Sequence, residues 1–316
     1  MDLNLEYWQS NGKTFLSRLR LWLSILDPTF ILSSDADIEK ARSLLRSEEK
    51  EQKNGKVDDA WLLSLSSFHT DTGSLISPIF RPQAYMPISL PLVLASFMPH
   101  KGVKPTLFWH FLLQSYSAGF NHANRNATAT SEKKTTLNQS LLITGTVTYA
   151  AVAGALPQII LWRLQAISAA AQVFCRSVLP IPLSAGLAAF SVLVVRSEES
   201  ENGIQIFDSN GNSVGVSKEA GAKAVKETAI SRATLFGTTT TVPSLLHFLL
   251  KRAKFMQRNP MLFASVRHIS TVIVFGLMIP VSFSLFPQLG KIKKEHLEKE
   301  LHALTSDGEL FYHRGL

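Results

Sequence analysis

Cysteine is almost absent from this chain. Cys175 is the only thiol among 316 residues, which excludes an intrachain disulfide and a cluster held by several cysteines. The thiol lies in an apolar run, so we expect it to be a small buried hydrophobic side chain. The nine histidines are scattered without the spacing of metal ligands. The sequence therefore predicts neither a metal site nor a cofactor.

Charge is also scarce. Asp, Glu, Lys and Arg make up 18% of the residues, below the roughly 25% of a soluble domain. The first ten residues, MDLNLEYWQS, lack the features of a secretory signal or a transit peptide, so any targeting information is expected to be internal. The basic run KRAKFMQR at 251–258 has no interleaved stacking aromatics and is interpreted as an anchor to anionic lipid, with no nucleic-acid partner.

Long stretches without charge are the dominant feature. A bilayer core of about 30 Å requires roughly 20 helical residues, and charged side chains near its centre are costly. Six windows lack Asp, Glu, Lys and Arg, and Lys or Arg brackets each of them: 82–100, 105–124, 135–162, 177–195, 233–250 and 268–290. This pattern predicts an all-α polytopic membrane protein with about five transmembrane helices in a lipid bilayer.

The second window is the least certain span because it carries a polar stripe. The stripe residues follow one another at steps of four, three, four and three, which places them on one helix face: His110, Gln114, Ser117, Asn121 and Asn124. Exposed to lipid, each amide or imidazole would cost about 1–3 kcal/mol or more. The window is therefore an interfacial helix with its polar face to water, or a re-entrant or cavity-lining helix. The sequence leaves both alternatives open.

The regions around the windows are hydrophilic. Residues 1–80 are predicted to form soluble or interfacial helices, one of which starts after Ser34 with Asp37 completing a capping box. The windows define a transmembrane domain at 81–290, and 291–316 is predicted to be a C-terminal tail. Within the transmembrane domain, 196–232 is a hydrophilic excursion, predicted to contain a β-hairpin and a short helix that begins near Ser217.

The stretch FHTDTG, Phe68 to Gly73, joins the soluble helices to the first window. His69 and Asp71 could form a base and its orienting carboxylate, but a nucleophile and an oxyanion donor are not visible nearby. They supply fewer ligands than zinc requires. The remaining interpretation is that Asp71 and Thr72 cap and turn the backbone. We therefore expect no enzyme activity.

An ordered set of motifs resembles the sideroflexins over nearly the whole length. In that family a His-Pro-Asp-Thr-Gly motif precedes the first span, and here Thr70 replaces its proline. The other matching elements are Asp27-Pro28, Gln114-Ser115-Tyr116-Ser117, Asn124-Arg125, Asp208 to Asn212, and Phe286-Pro287-Gln288. The ending FYHRGL and the departures from the family pattern are most similar to a divergent vertebrate branch of the family.

The resemblance implies a multi-pass protein of the mitochondrial inner membrane. Better-known sideroflexins carry serine and other small neutral amino acids, whereas the divergent branch is linked to complex I assembly and to iron and iron–sulfur homeostasis. Here the family's Asn is Ser117, and its Asn-Ile-Pro-Leu-Met-Arg stretch is SVLVVR at 191–196. These replacements argue against serine transport, because a zwitterionic substrate needs fixed donors and acceptors.

Two functions follow as hypotheses. The first is a transporter-like protein for a small neutral amino acid other than serine, with a substrate path or gate formed by His69, Asp71, Thr72, His110, Gln114, Ser117, Asn121 and Asn124. The alternative is a non-transporting scaffold that works with assembly factors of respiratory complex I. In both hypotheses any effect on iron is indirect.

Overall fold

The protein is mainly helical. The computed structural model describes residues 3–46, 54–127, 135–163, 168–250, 253 and 258–316. The N-terminal helices are α1 Leu3–Ser10, α2 Phe15–Ile25, α3 Asp35–Arg46 and α4 Asn54–Ser67. The later helices are α5 Pro82–Phe97, α6 Val103–Ala123, α7 Thr135–Arg163, α8 Ala169–Val173, α9 Pro180–Val195, α10 Ser197–Asn202, α11 Lys218–Leu250 and α12 Pro260–Ser284.

Each of the six uncharged windows lies mainly in helix, as predicted. Among the described residues, three helical segments are long and apolar enough to cross a membrane: Asn138–Arg163, Ala169–Val195 and Ser265–Ser284. The second of these joins α8 to α9 through a π-helical turn at Phe174–Val178. The protein is a polytopic helical membrane protein, and the count of about five spans stays a prediction.

The fifth window belongs to a longer helix than the sequence predicts. The short helix expected after Ser217 and the window 233–250 form one helix of 33 residues, α11. Ser217 Oγ accepts a hydrogen bond from Ala220 N at 3.1 Å, and Glu298 Oε1 accepts one from Lys218 N at 2.6 Å. These bonds satisfy first-turn N–H groups, which have no partner inside the helix.

Helix α3 has the predicted cap, and helix α2 docks on the end of α12. Ser34 and Asp37 form a capping pair before α3, with Asp37 N donating to Ser34 Oγ at 3.2 Å. Trp22 of α2 is buried and its ring lies 5.0 Å from that of Phe283. Arg18 Nε donates to Ser284 O at 2.8 Å, so α2 is fastened to the end of α12.

The predicted hairpin is confirmed, and it is half of a larger sheet. The strands are β1 Ile204–Phe207, β2 Ser213–Ser217, β3 Leu289–Lys293 and β4 Glu309–His313. They are ordered β2-β1-β4-β3, and every neighbouring pair is antiparallel. Because β4 pairs with β1, the C-terminal segment and the hydrophilic excursion share one sheet.

The helix ends meet near this sheet, at what we call the junction end of the bundle. Asn124, just after α6, donates from Nδ2 to Phe80 O, just before α5, at 2.9 Å. Arg196, just after α9, donates from Nη1 to Thr228 Oγ1 of α11 at 3.0 Å. Arg314 Nη2 donates to Phe283 O at the end of α12, at 3.1 Å. Helices α5 and α11 therefore leave the junction end, and α6, α9 and α12 return to it.

Candidate functional site

A cavity of about 390 Å³ lies inside the helix bundle, between α5, α6, α7, α9, α11 and α12. Four of the five stripe residues line it: His110, Gln114, Ser117 and Asn121. The polar face of α6 therefore turns inward, as the spacing and the cost of exposing such groups to lipid predict. Of the two alternatives for this helix, the cavity-lining one matches its position.

The cavity is elongated along the helices. Its lining residues on α11 extend from Arg232 to Ser244, which corresponds to about 18 Å at 1.5 Å per residue. On α12, Arg267 lines the cavity as well. It precedes Phe283, a neighbour of Arg232, by sixteen residues or about 24 Å. Arg232 therefore marks the junction end of the cavity, and Arg267 marks the opposite end.

Arg232 is the cavity residue that sequence reasoning missed. The sequence presented it only as the charge that bounds the fifth window. It is 3% exposed, and none of its three side-chain nitrogens has a hydrogen-bond partner in the described part of the chain. Its guanidinium carbon lies 4.3 Å from the ring centre of Phe283, 5.4 Å from Tyr85 and 5.5 Å from Phe120. Aromatic faces thus cover the cation but do not accept conventional hydrogen bonds from its N–H groups.

Other polar groups face the same space. The hydroxyl groups of Ser184 on α9 and Thr240 on α11 form a hydrogen bond of 3.0 Å. His110 Nε2 and Asn121 Oδ1 are buried and, within the described residues, have no partner. With Arg232 they give the cavity unused donors and acceptors, which a bound polar solute could satisfy.

A close helix contact positions His110. A Cβ atom on Gly154 of α7 would lie 2.8 Å from His110 Nδ1, which is closer than van der Waals contact allows. The glycine lets α7 approach α6 closely enough to hold the imidazole in the cavity wall. Leu187 of α9 lies 3.6 Å from the same Cβ position and completes this packing.

The remaining candidates lie outside the cavity, at the junction end. His69 Nε2 lies 2.7 Å from Arg125 O, and its Nδ1 lies 3.3 Å from the backbone N–H groups of Asp71 and Thr72. Because a carbonyl only accepts and an N–H only donates, Nε2 carries the proton and Nδ1 is the acceptor. Burial lowers the pKa of His69, which favours this neutral form.

The stretch FHTDTG is thus a hydrogen-bonded turn. Asp71 Oδ2 accepts from Ala127 N at 2.8 Å, and Thr72 Oγ1 pairs with Ser74 Oγ at 2.7 Å. Both ring nitrogens of His69 are used by backbone groups, which leaves no free lone pair for a general base. Over the described residues no three His, Cys, Asp or Glu side chains lie close enough to hold a metal ion.

Asn124, the fifth stripe residue, also belongs to the junction. Its backbone carbonyl accepts a hydrogen bond from Leu316 N at 3.1 Å. The nearby Asn126 donates from Nδ2 to Glu199 Oε2 at 2.8 Å and to His313 O at 2.9 Å. We define the junction cluster as His69, Asp71, Asn124, Asn126, Arg196, Glu199 and 313–316. The candidate residues therefore fall into a cavity group and a junction group.

The C-terminal segment is the centre of this cluster. Arg196 Nη2 donates to Arg314 O at 2.7 Å, and its Nη1 donates to Leu316 O at 3.2 Å. Arg314 Nη1 donates to Ser231 Oγ at 3.3 Å, next to Arg232 of the cavity. No local sequence signal indicated that the segment would be buried, because its partners Arg196 and Ser231 lie 120 and 83 residues earlier in the chain.

Comparisons with known proteins agree with this architecture. The family described as Sideroflexins matches residues 2–316. Sideroflexin-4 of Danio rerio is 67% identical over 317 residues, and Sideroflexin-4 of Bos taurus is 36% identical over 320; both alignments cover the full length of both proteins. Sideroflexin-5 of Homo sapiens is 30% identical over 312 residues, which covers 96% of this chain and 90% of that protein.

Solved structures add no further relative, since none matches the chain. The family match extends over the length that contains the α6 stripe, the cavity and the junction cluster. This chain is a multi-pass membrane protein and belongs to the sideroflexin family.

Proposed function

We propose that this chain is a transporter-like protein of the mitochondrial inner membrane, whose cavity binds a small solute of amino-acid size with a carboxylate group. The observation that carries the proposal is the cavity of about 390 Å³ lined by the polar face of α6. Polar side chains inside a membrane bundle are costly unless they face protein, water or a solute. The family, whose members are carrier-type proteins, supports the same function.

Several helices around the cavity contain internal prolines, which suits transport. Prolines lie inside α5, α7, α11 and α12, and Pro157 of α7 and Pro243 of α11 line the cavity itself. A proline inside a helix removes one backbone hydrogen bond and favours a bend. Broken helices next to a midplane site are common in secondary transporters.

The junction end is the closed end in this conformation. Tyr85, Phe120 and Phe283 around Arg232 are each at most 2% exposed. At the opposite end Arg176, which also lines the cavity, is exposed. Solute would therefore enter from the Arg176 side. For a solute to leave at the junction end, the His69–Arg125 and Asn124–Leu316 hydrogen bonds would have to break. We propose that the junction cluster, with its members His69, Asp71 and Asn124, forms the gate together with Thr72.

Uptake into liposomes tests this function. The purified chain should accumulate at least one labelled solute from a panel of amino acids and small carboxylic acids. Gln114→Ala or Asn121→Ala removes a cavity hydrogen bond worth about 0.5–1.5 kcal/mol, so uptake at low solute concentration should fall by up to about tenfold. Asn138→Ala, which removes an exposed amide of α7 outside the cavity, is the matched control and should not change uptake.

If no solute of a broad panel enters the liposomes above the protein-free background, the transport proposal is wrong. Uptake that is equally reduced by Asn138→Ala and Asn121→Ala would also contradict it, because the cavity would then have no special role.

A scaffold for assembly of respiratory complex I is the second candidate. The observation that favours it is the four-stranded sheet, whose edge strands β2 and β3 each pair with only one other strand of the described chain. Such edges can bind a strand of another protein, and Val216 of β2 is 45% exposed. Any contribution to iron or iron–sulfur homeostasis would follow indirectly from either function.

Rescue of knockout cells separates the two candidates. A scaffold predicts that Val216→Lys, which places a charge on the β2 edge, lowers complex I levels, whereas Asn121→Ala restores them fully. A transporter predicts the reverse pattern. The complex I content of the rescued cells is measured on native gels, with membrane levels of each variant matched beforehand.

A further inference from the structure

The charge of the cavity wall has one sign. Three arginines and three histidines line the cavity: Arg176, Arg232, Arg267, His100, His110 and His268. Within the described part of the chain, no Asp or Glu lines it. An ammonium group brought into this space would therefore meet fixed positive charges and no carboxylate.

Arg232 is the most unusual of these groups. A buried guanidinium normally has a carboxylate or carbonyl acceptors, and this chain follows that rule elsewhere. Arg196 is paired with Glu199 at 2.7 Å, and Arg314 donates to Phe283 O and Ser231 Oγ. Of these three, Arg232 alone has all its side-chain nitrogens buried without an acceptor among the residues that the structure describes. The aromatic faces around it offset only part of the lost hydration.

From these observations we infer that the cavity binds a small organic monocarboxylate anion, with its carboxylate on Arg232, and discriminates against the zwitterion of an amino acid. A guanidinium presents paired N–H groups that match a carboxylate. Asn121 lines the same cavity, and its Oδ1, which has no partner within the described part of the chain, would accept a hydrogen bond from a neutral hydroxyl of the same solute. This inference rests on the cavity of the proposed function and gives the charge class of its solute.

The rest of the wall agrees with an anionic ligand. Arg176 and Arg267 lie at the end of the cavity opposite to Arg232, where Arg267 Nη2 donates to Arg176 O at 3.3 Å. Positive groups at the entrance of a low-dielectric cleft raise the local concentration of anions. An anion would thus be attracted at the entrance and neutralised at Arg232.

Matched pairs of solutes test the inference by equilibrium binding. The pairs glycolate and glycine, lactate and alanine, and glycerate and serine differ only by a hydroxyl in place of the ammonium group. Binding to the purified full chain in detergent is measured by isothermal titration calorimetry at pH 7. The hydroxy acid is expected to bind at least tenfold more tightly than the amino acid in one or more pairs. Equal or tighter binding of the amino acid in every pair would overturn the inference.

Variants then locate the carboxylate. Arg232→Gln should weaken binding of the preferred hydroxy acid at least tenfold and leave binding of its amino acid within about twofold. Arg232→Lys keeps the charge without the paired N–H groups and should bind with intermediate affinity, which also covers the case that Arg232→Gln fails to fold. Arg20→Gln removes an exposed arginine of α2 and should bind as the unchanged protein does. Unchanged affinity in both Arg232 variants would refute the assignment.

Inorganic anions can also bind a guanidinium group, so the last part of the experiment tests them. Phosphate and chloride are added as competitors of the preferred hydroxy acid, and displacement at concentrations below the dissociation constant of that acid would overturn the organic assignment. The binding assay is independent of uptake. Hydroxy-acid binding without liposome uptake would contradict the transport proposal alone, whereas uptake with preferred binding of serine would contradict only this inference.

Discussion

Three buried arginines at the junction end differ in what their neighbours provide. Arg196, Arg232 and Arg314 are at most 3% exposed, so each cation has lost nearly all its contact with solvent. Arg196 finds a carboxylate, Arg314 finds backbone and hydroxyl oxygens, and Arg232 finds aromatic rings. Residue type and burial are the same in all three cases. What differs is the set of groups around each guanidinium, and this difference gives the three arginines different roles.

The buried Arg196–Glu199 ion pair should contribute far more to stability than the exposed Lys291–Glu309 pair. The side chains of Arg196 and Glu199 are at most 1% exposed. Glu199→Gln leaves the guanidinium charge buried without its counterion, which typically costs about 3–5 kcal/mol. We expect a large drop in the thermal unfolding midpoint, measured in detergent by intrinsic fluorescence.

The control for this prediction is Glu309→Gln in the exposed Lys291–Glu309 pair, whose side chains are 62% and 54% exposed. Surface pairs contribute about 0–1 kcal/mol, so the midpoint should barely change. Similar midpoints for the two variants would contradict the structural assignment of the buried pair.

His313 should make the protein sensitive to acid. Burial lowers the pKa of His313 to about 4, although the negative charge of Asp71 opposes this shift. In the unfolded chain the imidazole has its ordinary value of 6.5. Between these values the unfolded state binds more protons than the folded state, so stability is lost as the pH falls from about 6.5 to about 4.

A substitution isolates this contribution from that of the carboxylates. The ring of His313 lies 5.6 Å from that of Phe207, and neither of its nitrogens has a hydrogen-bond partner among the described residues. His313→Phe therefore keeps this ring contact and removes the titration. Between pH 6.5 and pH 4.5, the thermal unfolding midpoint of the variant should fall less than that of the unchanged protein. His296→Gln, at an exposed site, should follow the unchanged protein; parallel curves for His313→Phe would count against the prediction.

At the scale of elements, α11 organises the molecule. Its first turns contact α10 and the sheet, its middle supplies Arg232, and its second half lines the cavity up to Ser244. Threonines of the TTTT tract bond back to the helix, with Thr239 Oγ1 donating to Leu235 O at 2.7 Å. Their hydroxyls are thereby satisfied in an apolar environment.

The crossing of α10 and α11 depends on a glycine. A Cβ atom on Gly221 would overlap the carbonyl oxygen of Glu199, which is backbone and has little freedom to move. Gly221→Ala should push α10 away from α11, disturb the Arg196–Glu199 pair, and strongly reduce the monodisperse fraction on size-exclusion chromatography.

Gly186→Ala in α9 is the matched control, because among the described residues no atom lies within 4 Å of its Cβ position. Alanine is favoured over glycine in a helix by about 1 kcal/mol, so this variant should be neutral or slightly stabilised. Normal behaviour of Gly221→Ala would show that the two helices are further apart than described.

At the scale of the whole molecule, the junction constrains the membrane topology. Arg18 of the N-terminal region bonds to Ser284 at the end of α12, and Asn126 bonds to Glu199 and His313. Residues joined by direct hydrogen bonds outside the spans lie on the same side of a bilayer. The N-terminal helices, the sheet and the C-terminal segment therefore share one side.

Single-cysteine labelling checks this topology. In a Cys175→Ser background, Asn11→Cys between α1 and α2 and Asn210→Cys in the hairpin turn should react together with a membrane-impermeant maleimide, from one side of sealed vesicles. Ser168→Cys, at the start of α8 near the opposite end of the bundle, should react only from the other side. Labelling of positions 11 and 210 from opposite sides would contradict the junction.

Local patterns predicted a large part of this structure. The six windows became helices, the Asn210-Gly211 turn became the hairpin, and Ser34 with Asp37 formed the expected cap. Four of the five α6 stripe residues face the cavity, which is one of the two alternatives that their spacing left open. Each of these features is set by residues within one or two turns or strands of each other, where helix and strand periodicity act directly.

Long-range packing decided the rest. The sequence by itself determined that this chain has uncharged helices for a bilayer and a helix with one polar face. Only the tertiary structure decided that Arg232 is buried without an acceptor among the described residues, and that 313–316 lies beside Asn124 and Arg196. The physical reason is that a charge's environment depends on which distant segments surround it, and no periodicity along the chain encodes those neighbours.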